Sequence, residues 1–517
     1  MRKPAHEIKP SKLVVNFHLS SLSTRVRMRV STKEVIAAVS VWAWSTAALS
    51  IPVIRDVASQ ICPRSMEEMQ QLQHKLSPTA KIYFPGSTEF VEASVRWSNL
   101  HAPTVNVVVV PGTEQDVSET IKFANKQNIP FLAYNGHHGA TTTLGSMSYG
   151  IEIFLKQLNS IQIATDGKSV TVGGGINSKV VTDTLWAVGK QTVTGTCECV
   201  SYLGPALGGG HGWLQGHHGL LADQFLSMNV VLADGSIKII DENSDLWWGM
   251  KGAGHNFGIV TSLTSKIYDI QHTNWSIVTF IFSGDKVEAV YEAANKFLPK
   301  NGKQATDVHN WSYWLRSSDL DPVNPVIIFY LIQEGVNAVD SAYSQAFYDI
   351  GPIVATPQTG TYRDLAKWTN IAMDSQPCLD LGTNNPRFPI YLDSYNVAAQ
   401  KKVYEAFAEV TSGSSAFNGS LFMFESYAVQ GVQDISSASS AFAFRSESIL
   451  AAPSSPTRPM AQHWMSRLPN LETSFAISFT RLPAEISCAL ISTTLLVMRH
   501  NRRFTETKIG DSVVSRL

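Results

Sequence analysis

Residues 204–219, GPALGGGHGWLQGHHG, place seven glycines in sixteen positions, and no other stretch constrains the chain as strongly. Glycine loses the most backbone freedom on folding, so a run this dense disfavours both helix and strand. It is suited to a loop whose main chain must come close to something else. A second such stretch, NGHHGATTTLG, spans residues 135–145. Backbone N–H groups freed from side-chain bulk form anion-binding nests, so two separated loops of this kind can hold opposite sides of one extended dinucleotide. The plainer alternative is that the glycines only serve turns.

What precedes each loop is α/β in texture. Val105 to Val110 is a β-branched run. Pro111-Gly112 follows, then a helix that Thr113 can cap, with Asp116 three residues on and Val117, Ile121 and Ala124 forming one apolar stripe. Phe131 to Tyr134 reads as the next strand and runs directly into the first loop, where ligands of α/β layers bind. Ile151 to Leu155 and Ser169 to Val172 read as further strands. Gly173-Gly174-Gly175 then precedes a helix from about Ser178 to Lys190 with Val181, Leu185 and Val188 inward. After the second loop, Met228 to Ala233 and Ser236 to Ile240 read as a hairpin turning at Asp234-Gly235. From about Ile270 aromatic-rich strands mix with amphipathic helices such as Lys286 to Phe297 and Ala398 to Val410. Residues 418–431, NGSLFMFESYAVQG, alternate as a strand with Glu425 and Tyr427 on one face.

Composition narrows the function. The 41 basic and 42 acidic residues nearly cancel, which gives no overall field for nucleic acid or an anionic membrane. A small-molecule ligand is the expectation, with no nucleic-acid or membrane partner. Five cysteines, Cys62, Cys197, Cys199, Cys378 and Cys488, are too few for a disulfide scaffold, and their odd number leaves at least one thiol without an intramolecular partner. Histidines 137, 138, 211, 217, 218 and 255 crowd the glycine-rich segments without the spacing of zinc ligands, so no metal site is expected. The Gly210-x-Gly212 spacing resembles a nicotinamide-dinucleotide fingerprint, yet it lies beyond residue 200 instead of after a first strand.

The N-terminal run from Met28 to Ser50 has basic residues, an apolar stretch from Val35 to about Ala48 and small residues at Ala48 and Ser50. It reads as a signal peptide, with Met28 as the natural start. A basic tail followed by a core helix is the alternative. Asn-X-Ser sequons at Asn274, Asn310 and Asn418 suit a secreted glycoprotein. Beyond Pro453 the sequence offers no coherent continuation. The expected organisation is a signal segment at 1–50, a cofactor-binding domain at 65–269, a substrate domain at 270–452 and an atypical tail at 453–517.

The residues NGHHG with LG at 144–145, GIEIFLKQLNSI, VTVGGG, TGTCECVSYLGPALGGGHGWLQGHHGLLAD, VVLADG, ENSDLWW and GHNFGIVTS resemble the vanillyl-alcohol-oxidase-type flavoproteins. Within these they are similar to the berberine-bridge-enzyme-like oxidases, in particular fungal FAD-linked oxidoreductases, from about Trp97 to Pro453. The resemblance implies an α+β fold: a PCMH-type FAD-binding domain of two α/β subdomains and an α+β substrate domain with an antiparallel sheet over the isoalloxazine. It implies FAD held covalently through His138 and, as a second bond in bicovalent members, Cys197, which lies eleven residues before Gly208. The cofactor-binding residues it carries over are Asn135, Gly136, His137, His138 and Gly139 in the first loop. In the second they are Cys197, Gly204, Gly208, Gly209, Gly210, His211 and Gly212. A third segment, Gly258, Ile259 and Val260, is placed against the adenine. Three departures stand out: the glycine before the anchoring histidine is His137, the tyrosine two residues after it in the plant enzymes is Ala140, and the family's closing Tyr-Asn and Arg-Leu elements are not recognisable after Pro453.

The implied chemistry is hydride transfer from a carbon bearing an alcohol or amine to flavin N5, with O2 as final acceptor, in fungal secondary metabolism or on a carbohydrate. Glu425 is the first choice of base and Tyr427 the second. Two rivals stand beside it. A degenerate flavin-binding protein predicts bound flavin without turnover; a nicotinamide-dependent dehydrogenase predicts a colourless protein.

Overall fold

The computed structural model describes residues 66–454 apart from 137, 301–302, 380 and 414. The signal segment, Met28, His137 and the tail beyond 454 therefore lie outside the described residues. Chain contacts part residues 1–71 from 72–517. The described part of the first unit opens a short helix, Met66–Gln73, and the second unit carries three large sheets.

The first sheet has the order Lys81–Tyr83, Val105–Val110, Gly150–Phe154, Phe131–Tyr134. Its last three strands run parallel and its first antiparallel. Val107 to Val110 are almost wholly buried, as expected of a strand covered on both faces. The crossover helix is Glu114–Gln127, started by a reciprocal capping box of Thr113 and Asp116 and ended at Asn128 in the left-handed conformation. Val117, Ile121 and Ala124 are fully buried. Phe131–Tyr134 then delivers the first glycine-rich loop at its carboxyl end.

The second sheet is antiparallel throughout, in the order Ile161–Ile163, Ser169–Gly173, Ile259–Lys266, Phe225–Val231, Ile237–Asp241. Its hairpin turns at Asp234-Gly235, with Gly235 at φ +81° and the Asp234 carboxylate accepting from the Ser236 N–H at 2.8 Å. The helix before the second loop, Ser178–Trp186, is capped by Asn177 and buries Val181 and Leu185. Val188 does not join them: the helix ends at Trp186, and Val188 is 57% exposed.

The third sheet is a seven-stranded antiparallel one, ordered Val354–Gly360, Trp275–Phe282, Val326–Glu334, Val308–Leu315, Leu421–Ser426, Ile449–Ser454, Ile390–Leu392. One face packs on helices Val287–Phe297, Ser341–Asp349 and Val397–Val410 through Phe280, Trp314, Phe347 and Phe424. The other face presents Trp311, Tyr313 and Tyr330 to Trp213, Tyr202 and their neighbours from the glycine-loop half. Along Leu421–Ser426, Phe422, Phe424 and Ser426 are buried while Leu421, Met423 and Glu425 stay partly accessible. The period-two pattern thus turns Glu425 away from the helix-covered core.

A second expectation fails at Asn310. Asn310 is 1% exposed on the central strand Val308–Leu315, and its Nδ2 donates to the Tyr395 hydroxyl at 3.1 Å. Its amide is a packing group, so it is not a glycan acceptor in the folded protein. Asn274 and Asn418 are exposed.

Candidate functional site

The two glycine-rich loops meet. Asn135 Nδ2 donates to the Gly174 carbonyl and to Ser201 Oγ, both at 2.9 Å, so one amide joins the first loop, the Gly173-Gly174-Gly175 turn and the start of the second loop. The Ser201 N–H donates to Gly136 O. A Cβ on Gly136 would lie 2.9 Å from Cys199 O, which explains glycine at this crossing. Gly174 packs in turn against Val260, and its N–H donates to Thr261 O. His255 Nε2 donates to Gly204 O at 2.8 Å, tying the segment before Gly258 to the second loop.

The glycines divide into two kinds. Gly209 (φ +102°) and Gly210 (φ +77°) take conformations that disfavour a side chain, and a Cβ on Gly209 would meet the Phe442 ring at 2.4 Å. Gly212 is closed off by Thr194 O at 2.2 Å. At these positions the close approach is of the chain to itself. A Cβ on Gly139, by contrast, would point into open space. Gly139, Ala140 and Thr141 present N–H groups for which no hydrogen-bond acceptor occurs among the described residues. An open backbone face with spare donors is what an anionic dinucleotide requires.

His138 sits beside that face at φ +57°. Its Nε2 lies 2.6 Å from the Pro377 carbonyl, which can only accept, so Nε2 carries the hydrogen and the neutral ring's lone pair is on Nδ1. The ring packs on Trp97 at 4.5 Å between centroids. Donor atoms of His138, Cys197 and Cys199 lie within 4.8 Å of one another. Cys199 is disulfide-bonded to Cys378, so its sulfur is committed, and Cys197 is the free thiol. Burial pushes the Cys197 thiol up to about 12. The residues present fit the flavin implied by the sequence: an open donor-bearing loop beside a histidine and a thiol that converge on one place.

The third sheet contributes the remaining groups of the candidate site. Tyr427 Oη donates to Glu425 Oε2 at 2.6 Å. Burial raises the Glu425 pKa, with the Tyr427 hydrogen bond and the Arg387 charge opposing that rise. Burial and the adjacent carboxylate hold the Tyr427 phenol well above its usual range. His211 stacks on Tyr427 at 5.6 Å, its Nδ1 on Gln215 Oε1 at 2.8 Å and its Nε2 on the Tyr391 hydroxyl at 3.1 Å. Since the Gln215 oxygen can only accept, Nδ1 is the protonated nitrogen and Nε2 accepts from Tyr391. Burial keeps this ring neutral by lowering its pKa. Arg387 stacks over Trp97 at 4.7 Å.

Sequence comparison agrees with this geometry. Residues 105–241 match the FAD binding domain family. The chain is 57% identical over 420 residues to the FAD-linked oxidoreductase chyH of Penicillium rubens, covering 81% of this chain and 83% of that protein. The chain belongs to the FAD-linked oxidoreductases. Among solved structures this FAD-linked oxidoreductase is similar to Physcomitrella patens BBE-like 1, with a TM-score of 0.65, 17% identity, and 79% and 88% of the two chains covered. It is also similar to a chitooligosaccharide oxidase, with a TM-score of 0.65, 20% identity, and 80% and 87% covered. At such identities the likeness establishes the fold, that of the berberine-bridge-enzyme-like FAD oxidases. The protein is an FAD-dependent oxidoreductase.

The structure brings Asn135, Gly136, His138, Gly139, Cys197, Gly204 and His211 to one region, and Glu425 with Tyr427 onto one hydrogen bond. Gly258, Ile259 and Val260 lead into the strand Ile259–Lys266 behind the Gly174 turn. Sequence reasoning missed Trp97, Arg387 and Tyr391, which carry no local motif, and the pairing of Cys199 with Cys378. No local spacing signals that pairing, whose partners lie 179 residues apart.

Proposed function

We propose that this FAD-linked oxidoreductase is a secreted oxidase of secondary metabolism. In this reading it holds FAD by covalent bonds to His138 and Cys197 and oxidises a C–H bond next to an alcohol or amine on a small-molecule substrate. The observation that carries the reading is the convergence of the His138 ring and the Cys197 thiol at the rim of the open first loop. When bound, FAD supplies the acceptor for the hydride and passes the electrons on to O2.

The chain's own groups do the rest. Pro377 O fixes the His138 ring so that Nδ1 is its nucleophilic nitrogen. Glu425 takes the substrate's heteroatom proton, and its pKa, raised by burial, moves it toward the range of an effective base at neutral pH. Tyr427 orients that carboxylate. The aromatic wall of Trp311, Tyr313 and Tyr330 excludes water from this face. Secretion is supported by the run from Met28 to Ser50 and by the exposed sequons Asn274 and Asn418. No helix among the described residues is long and apolar enough to cross a membrane.

The test is the absorption spectrum before and after acid precipitation, for the wild type, His138→Ala and Cys197→Ala. Yellow colour that stays in the pellet for each single variant and leaves only when both residues are replaced is the expected result. Colour released by acid from the wild type would refute covalent attachment. Peroxide formation on a panel of benzylic and allylic alcohols and amines reads the reaction class, and N-terminal sequencing of protein from culture medium reads secretion.

A further inference from the structure

The free thiol at the proposed flavin anchor lies against a disulfide. Cys197 Sγ is 3.7 Å from Cys199 Sγ and 3.6 Å from Cys378 Sγ, in contact with both atoms of the Cys199–Cys378 bond. The same turn that supplies Cys378 supplies Pro377 O to His138. Glu198, between the two loop cysteines, binds the Met373 N–H through its carboxylate at 2.8 Å and the Ile371 carbonyl through its N–H at 3.1 Å. Loop 196–200 and segment 371–378 are thus held in register, with three sulfurs at their centre.

We propose that Cys197, Cys199 and Cys378 form a thiol–disulfide exchange triad in which Cys378 is the shared partner, and that flavin attachment at Cys197 locks it in the Cys199–Cys378 form. Cys197 Sγ lies beside the disulfide, so in the exchange its side chain rotates to bring the thiolate into line with the Cys199–Cys378 bond and attacks Cys378 Sγ. The Cys197–Cys378 bond forms, the Cys199–Cys378 bond breaks, and Cys199 leaves as a thiolate that takes up the proton Cys197 gave to solvent. One disulfide and one thiol are present before and after, so no oxidant or reductant is needed. The two cross-links span 179 and 181 residues. Loop-closure entropy depends only on the logarithm of that span, so it does not distinguish them, and local contacts decide. A thioether on Cys197 ends the competition because its sulfur can no longer attack. Conversely, a Cys197–Cys378 disulfide leaves the flavin only its histidine bond. Because burial disfavours the attacking thiolate, exchange in the closed protein is slow at neutral pH, and an acid quench traps the pairing.

The coupling to flavin rests on the proposed Cys197 attachment; the exchange itself does not. Flavin-loaded protein and protein from riboflavin-starved cells are acid-quenched, alkylated and digested without reduction. A glutamyl endopeptidase cuts after Glu198 and separates Cys197 from Cys199, so mass spectrometry distinguishes the two cross-links. In flavin-poor protein both are expected, and in loaded protein only Cys199–Cys378. In Cys199→Ser treated with oxidised glutathione, which accepts the two electrons and two protons of the thiols, Cys197 and Cys378 should be cross-linked and the acid-stable flavin retained by His138 alone. A flavin-poor wild type with Cys199–Cys378 alone would overturn the proposal, and so would Cys199→Ser with two alkylatable thiols. If Cys199→Ser does not accumulate, the flavin-poor wild type decides the matter. Both cross-links in loaded protein would uphold exchange while refuting Cys197 as an anchor.

Discussion

Glu425 shows how one residue's chemistry depends on its immediate partners. A carboxyl taken out of water resists ionisation, and here the Tyr427 hydroxyl and the Arg387 charge restore part of that loss. Replacing Glu425 by Gln removes the base and keeps the shape, so kcat should fall by roughly 10²- to 10⁴-fold. An unchanged kcat would assign the proton transfer elsewhere. Tyr427→Phe acts differently. It deletes a hydrogen bond that lowers the Glu425 pKa. The carboxyl then stays protonated to higher pH, and the ascending limb of the kcat profile should move to higher pH. A limb that stays in place or moves to lower pH would show that Tyr427 does not tune the base.

The glycine loops teach a different lesson at the scale of the element, because identical residues do unlike work within them. At Gly209 an added Cβ meets a positive φ and the Phe442 ring at once. Gly209→Ala should therefore cost the fold about 1–3 kcal/mol, read as a lower Tm with or without flavin. At Gly139 the same methyl enters open space. Gly139→Ala should leave the Tm of flavin-free protein within a degree or two and reduce the flavin-to-protein absorbance ratio. Equal loss of stability in both variants would contradict this division. Asn135 is the element that makes the loops one site, and its two hydrogen bonds join chain positions 39 and 66 residues away.

Over the whole molecule, a buried charge network joins the segment before strand Ile449–Ser454 to the turn Leu221–Gln224 that follows the second glycine loop. Arg445 reaches Asp223 through both terminal nitrogens, at 3.0 and 2.9 Å, across 222 residues of sequence. It also donates to Ser440 Oγ and the Val432 carbonyl. Arg445→Ala would leave the Asp223 carboxylate buried without its cation, at a cost of about 3–5 kcal/mol. Urea unfolding should show that loss, while a shift below about 1 kcal/mol would mean that the pair is dispensable.

Local signals were readable without a structure wherever neighbours in sequence are neighbours in space. The Thr113–Asp116 cap, the Val105–Val110 strand, the Asp234-Gly235 turn and the alternation that turns Glu425 away from the helix-covered core all rest on dihedral preference and period, which a few residues suffice to set. The same local reading carried the family resemblance, because glycine-rich motifs are contiguous. It failed at Val188, where the helix stopped about four residues short of the expected Lys190, and at Asn310, where a sequon records nothing of the sheet that buries it. Tertiary structure alone decided which sulfurs meet, that Pro377 orients His138, that Arg387 packs on Trp97 and Tyr391 on His211, and which glycines face open space. Those are contacts between segments up to 290 residues apart, from Trp97 to Arg387. They arise only when the sheets pack, and no periodicity in the chain encodes which distant partner a side chain will find.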